Sequence, residues 1–150
     1  MQEEFLSLEI IWKDEHMVEL EITACNKYFK GITQVYDQAE CIYELAEQLI
    51  GFSGISETLF YESGKKDSYA YFSLKFYPVG TNGLIGVQIN LEENVTTAFR
   101  PEEKSKLILE IIIEPSALDE FQKFLKTMAV KQSGKAQLVG RNGFKIHLIT

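Results

Sequence analysis

Histidine, cysteine, proline and tryptophan are all scarce in this chain of 150 residues, at two, two, three and one copies. The scarcity of histidine removes most routes to metal or triad chemistry. His16 falls in a polar connection and His147 near the end of the chain, and neither neighbours a Cys, Asp or Glu cluster at ligand spacing. Cys25 falls in a strand pattern and Cys41 in a helix pattern, with no C-x-x-C, so two buried free thiols are expected. Long apolar runs are missing as well. Leu107–Leu109 with Ile111–Ile113 is far too short to span a bilayer. Residues 1–12 are acidic and lack the basic and apolar regions of a secretory signal, so a soluble cytoplasmic protein is expected. Catalytic motifs are missing too. There is no G-x-S-x-G elbow, and Gly64-Lys65-Lys66 lacks the first glycine and the hydroxyl of a phosphate loop. Gly80, Gly83 and Gly86 form G-x-x-G-x-x-G, which is not the dinucleotide fingerprint. No cofactor, metal or catalytic residue is therefore expected.

What the chain has in excess is acid. The net charge is −7, and residues 1–50 hold eleven acids against three bases, a local sum of −8. Residues 131–150 carry four bases (Lys131, Lys135, Arg141, Lys145) and no acid. A net negative chain is repelled by phosphate backbones and anionic lipid, which argues against nucleic acid and membranes as partners. The acid-rich front is suited to a basic protein partner, and acids also serve simply to keep a protein soluble.

Apolar periodicity places the elements. Leu6, Leu8, Ile10 and Trp12 alternate with Ser7, Glu9 and Ile11, and Val18, Leu20, Ile22 and Ala24 alternate with Glu19, Glu21 and Thr23. Both read as half-buried antiparallel strands joined at Lys13-Asp14-Glu15-His16. A third strand covers residues 28–36, where Gly31 marks a bulge or a close backbone approach. A helix follows over 37–50, with Asp37 as cap, Glu40 completing a capping box, Ile42, Leu45, Ala46 and Leu49 as the apolar stripe, and Gly51 as the stop. Residues 58–62 are a short strand. Ala70, Phe72, Leu74 and Phe76 then form one face of a strand that pairs across the Gly80-Thr81-Asn82-Gly83 turn with the strand of Ile85, Val87, Ile89 and Leu91. Residues 106–114 are rich in β-branched residues and read as a strand buried on most of both faces and central in the sheet, the following Pro115 favouring strand over helix. A second helix covers 116–128, capped by Ser116 with Asp119, its stripe being Leu118, Phe121, Leu125 and Met128. Asn142-Gly143 between residues 136–139 and 144–149 signals a C-terminal hairpin, so 131–150 reads as an extension of a single domain spanning 1–150. The fold class is α+β: an antiparallel sheet of about six to eight strands with two helices packed against it.

Function then has to lie in a surface. Glu19 and Glu21 are about 7 Å apart on one strand face; with Glu9 they alternate with core residues and should point to solvent. Glu40, Glu44 and Glu47 lie mostly off the apolar stripe of the first helix. Tyr69, Tyr71 and Tyr77 share a strand face with Ser73 and Lys75, and tyrosines are enriched at interfaces. Either that face is open, and suited to a homodimer or a small ligand, or a helix covers it. Asn94-Val95-Thr96 matches a glycosylation sequon, which a cytoplasmic protein would leave unused.

The order of residues also carries a family resemblance. Phe29-Lys30-Gly31 is followed by the helix of Ile42, Leu45 and Leu49. Leu74 and Phe76 precede Gly86-Val87-Gln88-Ile89-Asn90-Leu91, and Leu109-Glu110-Ile111-Ile112-Ile113-Glu114 leads into Leu118, Phe121 and Leu125. Over about residues 17–130 this resembles the WapI-type immunity proteins of bacterial polymorphic-toxin systems and their uncharacterised relatives. The resemblance implies a cytoplasmic, non-enzymatic bacterial protein that neutralises a toxin domain by direct binding, and it assigns no interface residue.

Overall fold

The computed structural model describes residues 3–52, 57–65, 69–94 and 101–141. The strands are β1 (Phe5–Lys13), β2 (Val18–Cys25), β3 (Lys30–Asp37), β4 (Leu59–Gly64), β5 (Ala70–Val79), β6 (Leu84–Asn94), β7 (Lys104–Ile113) and β8 (Gly134–Val139). The helices are α1 (Ala39–Ile50) and α2 (Pro115–Lys131), with a 3-10 turn at Pro101–Glu103. The fold is α+β and every strand pairing is antiparallel. The strands divide into two four-stranded sheets, ordered β3-β2-β1-β8 and β4-β5-β6-β7.

Local chemistry sets the turns. The Oδ1 of Asp14 accepts the N–H groups of His16 and Met17 at 2.8 and 2.9 Å, closing the β1–β2 connection. Those two bonds hold the Asp14 carboxyl below the usual carboxylate range. Asn26 does the same for Tyr28 and Phe29 before β3, at 2.9 and 2.8 Å. Between β5 and β6 the chain reverses through Gly80 and Gly83, whose φ angles of 66° and 84° favour glycine. These glycines belong to a hairpin, and no helix follows them to hold a dinucleotide. The C-terminal hairpin partner at 144–149, with His147, lies outside the described residues, as do Val95 and Thr96 of the sequon; β8 pairs with β1, Leu6 opposite Leu138.

Period-two patterning decides what is buried. Leu6, Leu8, Leu20, Ile22, Val35, Ala136 and Leu138 from the first sheet share one core with Phe72, Leu74, Phe76, Val87, Ile89, Ile111 and Ile113 from the second. Ile42, Leu45, Ala46 and Leu49 of α1, and Leu118, Phe121, Leu125 and Met128 of α2, complete it, as their helical spacing predicts. The two sheets meet at β3. Gly31 faces Leu107 and Leu91 so closely that an added Cβ would lie 2.6 Å from Leu107 Cδ2, which makes it a close approach within a continuous register. Thr33 Oγ1 donates to the Glu92 carbonyl at 2.9 Å and the Glu93 carboxylate at 2.7 Å. Asp37 accepts the hydroxyl of Tyr61, and that of Ser63 at 2.7 Å.

Three local expectations are corrected. Asp37 does not cap α1: Gln38 is the cap residue, with no side-chain cap bond, because the Asp37 carboxylate is taken by β4 and the Gln38 N–H. Glu40 therefore completes no capping box, though it is the acid of the first turn. Gly51 does end α1, in right-handed rather than left-handed conformation. Ser116 is likewise inside α2, which starts one residue earlier on Pro115 with Glu114 as cap residue, since proline at the first helical position needs no N–H partner. Finally, among the described residues β7 is an edge strand and not a central one. Ile108 on its outer face is 62% exposed, so the β-branched run reflects one buried face plus strand propensity.

Two measurements check this account. Truncating Leu45 or Phe121 to alanine should cost about 2–5 and about 3–5 kcal/mol respectively in chemical denaturation, with an unchanged midpoint placing that side chain outside the core. Burial first, and the Asp37 carboxylate second, push the Tyr61 phenol well above its ordinary value of 10. The folded state thus favours the neutral phenol, and this contribution is complete below pH 10 and declines as pH rises beyond it. Tyr61→Phe should flatten the alkaline fall in stability between about pH 10 and 12, and should cost about 1.5–3 kcal/mol at neutral pH through the lost charged hydrogen bond.

Candidate functional site

With both inner sheet faces in the core, the outer face of the first sheet is the surface on which its sequence is free to act. Strand register places the side chains there in rows. Gln34, Glu21, Glu9 and Lys135 follow one another across β3, β2, β1 and β8. Gln34 Nε2 donates to Glu21 Oε2 at 2.8 Å. Glu9 and Glu21 stand directly opposite each other, a like-charge pair that costs the sheet stability.

The adjacent row is Trp12, Glu19 and Tyr36. The alternation along β1 puts Trp12 in phase with the core residues Leu6, Leu8 and Ile10. A register irregularity between Ile10 and Trp12 shifts the alternation by one, so that Trp12 opposes Glu19 and emerges on the outer face. Trp12 and Tyr36 meet edge to face, with centroids 6.0 Å apart and planes at 89°, and remain 47% and 56% exposed. Ile11, next to Trp12 in sequence, and Ile32, two rows away on β3, are exposed as well. Among the described residues, no ion pair engages Glu9, Glu19 or Glu21. The single tryptophan of the chain thus lies among three carboxylates. Sequence reasoning singled out the acids of this face and missed its aromatic pair, because nothing in the sequence of β1 marks the bulge.

The remaining sequence-derived candidates are placed elsewhere. Glu40 and Glu44 are exposed on α1. Glu47 is turned to α2, where Lys126 Nζ binds it at 2.8 Å and lies 5.3 Å from the Tyr43 ring centroid. The bond to Lys126 holds the Glu47 carboxyl below its usual range. The three acids of α1 therefore do not act as one free face. The tyrosines separate too. Tyr69, just ahead of β5, is 67% exposed, whereas Tyr71 is 4% exposed beside buried Ser73. Tyr77 lies over Gly86, its cross-strand partner, where a Cβ would collide with the ring, and donates its hydroxyl to Glu110. Burial first and Glu110 second push the Tyr77 phenol upward. A continuous open tyrosine surface is not what these positions form.

Cys25 is buried, and its thiol donates to the Glu3 carbonyl at 3.1 Å. Cys41 is half-buried, and its thiol is pushed up by burial first and by Asp37 next, the opposite of an activated thiolate. Among the described residues no group of three or more His, Cys, Asp and Glu side chains is arranged to hold a metal. No helix among them is long and apolar enough to cross a membrane. A groove of about 400 Å³ runs between α2 and β8, lined by Ala117, Glu120, Phe124, Lys135, Gln137 and Val139.

Ionic quenchers should report the acid face directly. Negative potential concentrates cesium and excludes iodide around an exposed indole. At low ionic strength, cesium should quench Trp12 about two-fold or more better, relative to iodide, than it quenches free tryptophan amide. Replacing Glu9, Glu19 and Glu21 with glutamine should remove that bias, and an unchanged ratio would show that these carboxylates do not set the potential at the ring.

No protein-family model, no curated protein and no solved structure matches the chain.

Proposed function

We propose that this chain is a non-catalytic binding protein of the immunity type, which neutralises a basic toxin domain by direct contact. The observation that carries the reading is the outer face of the first sheet, where an aromatic pair stands exposed among carboxylates that no ion pair of the described residues engages. Exposed aromatics in an apolar and polar mosaic are the usual anchors of protein interfaces. Residues 1–50 hold eleven of the 22 acids and three of the 15 bases, so they sum to −8 and the rest of the chain to +1. The attraction is thus concentrated in the segment that builds this face and α1. The resemblance to WapI-type immunity proteins adds the partner's class, and a cytoplasmic location goes with it. A homodimer through the tyrosine face is the lesser reading, since Tyr71 is buried and Tyr77 is occupied by Glu110.

The test is to look for a reading frame beside the gene that encodes a basic toxin-like domain and to co-express it with this chain, followed by co-purification and stopped-flow association. A stoichiometric complex should form, protect the host cell, and associate about ten-fold or more slowly in 0.5 M than in 0.05 M salt, because steering is screened beyond the Debye length. A partner that is itself acidic, or an association rate indifferent to salt, overturns the charge-capture reading.

A further inference from the structure

We infer that the row Trp12–Glu19–Tyr36 on the first sheet is a receptor for an arginine side chain presented by a protein partner. The inference rests on the binding-protein reading above and identifies the contact it uses. Three observations carry it. Register sets Glu19 on the strand between those that carry the two rings, opposite Trp12 on β1 and Tyr36 on β3. The rings stand at 89° to one another, so their mutual contact uses one edge and one face while both remain about half exposed. The Glu19 carboxylate has no cationic partner among the described residues. A planar cation is what this arrangement suits: it can lie on an exposed ring while its N–H fork reaches the carboxylate beside it. Guanidinium meets both demands, whereas ammonium offers a compact, strongly hydrated charge with no plane to stack. Glu9 and Glu21 in the next row deepen the negative potential without competing for the same cation, and Gln34 fixes Glu21 in place. The fold itself does not explain the pattern, since two exposed rings cost solubility and the opposed Glu9 and Glu21 cost sheet stability. Phosphate-bearing partners are repelled by the same carboxylates.

Because Trp12 is the only tryptophan, its emission reads occupancy of this face and no other. The experiment titrates the full chain with a hexa-arginine peptide and, separately, a hexa-lysine peptide in 0.05 M salt, following Trp12 emission and the backbone amide shifts of isotope-labelled protein. Hexa-arginine should produce a saturable change in emission, with amide shifts centred on residues 12, 19 and 36, and hexa-lysine should bind about five-fold or more weakly. Glu19→Gln and Tyr36→Ala should each weaken hexa-arginine about ten-fold, with unfolding midpoints near that of the parent chain. Glu102→Gln, which removes the same charge from the exposed 3-10 turn, should change binding less than two-fold. Three results overturn the inference: equal binding of the two peptides, an equal loss in Glu19→Gln and Glu102→Gln, or amide shifts centred on Phe124 and Val139, which would place the site in the groove beside β8. The immunity reading fails separately. Should hexa-arginine map to this row while no adjacent toxin is captured, the arginine receptor stands and the toxin assignment falls. Should a toxin bind with undiminished affinity to both Glu19→Gln and Tyr36→Ala, the reverse holds.

Discussion

Burial of two sheet faces in one shared core is the constraint on which this structure depends. Among the described residues no backbone ladder joins the sheets, so they are held by side-chain contact and by what β3 contributes. That strand is hydrogen-bonded to β2 along its length and also passes against β4, β5 and β6 of the other sheet. Its inward residues each meet a different demand. Gly31 permits the close approach to Leu91 and Leu107, Val35 enters the core, Thr33 satisfies the Glu92 carbonyl, and Asp37 accepts two hydroxyls from β4. Buried polar groups are tolerated where they find partners, and these bonds fix how the sheets sit on one another in a way that apolar contact alone would leave loose.

That joint also determines which surfaces remain. The inner faces and the helix stripes are consumed by the core, leaving the outer sheet faces, the outer helix sides and the α2–β8 groove. The two outer faces differ. On the second sheet, Tyr71, Ser73 and Glu92 are buried, and Tyr77 covers Gly86 and binds Glu110, so the polar residues there are largely engaged with one another. On the first sheet, Glu9 and Glu21 oppose each other without an ion pair to either among the described residues, and the Trp12–Tyr36 pair stays about half exposed. A surface that retains local costs of this kind is where a partner has most to gain, because binding both neutralises the carboxylates and removes the rings from water.

The helix ends show how tertiary demand overrides local preference. Asp37 is a good cap residue and stands directly before α1, yet its carboxylate goes to Tyr61 and Ser63. A hydroxyl buried between layers has no water to turn to, whereas the first N–H groups of a helix at the surface do, so the carboxylate serves the more costly need. Glu47 illustrates the same competition at the surface. It follows the spacing of a solvent-facing acid, but α2 brings Lys126 to it.

Period-two and helical spacing alone determined the α+β class, the antiparallel strands, both apolar helix stripes and the outward placement of Glu9, Glu19 and Glu21. Those features are local: they depend on which residues repeat every second or every third and fourth position, and burial rewards that repeat wherever the element is packed. The division of the described strands into two sheets was decided only in three dimensions, as were the place of β7 beyond β6, the engagement of Tyr71, Tyr77 and Glu47, and the pairing of Trp12 with Tyr36. Each of these depends on a contact between residues distant in sequence. The Trp12 site depends in addition on one extra residue in β1, which reverses the faces of everything beyond it while leaving no mark in the composition.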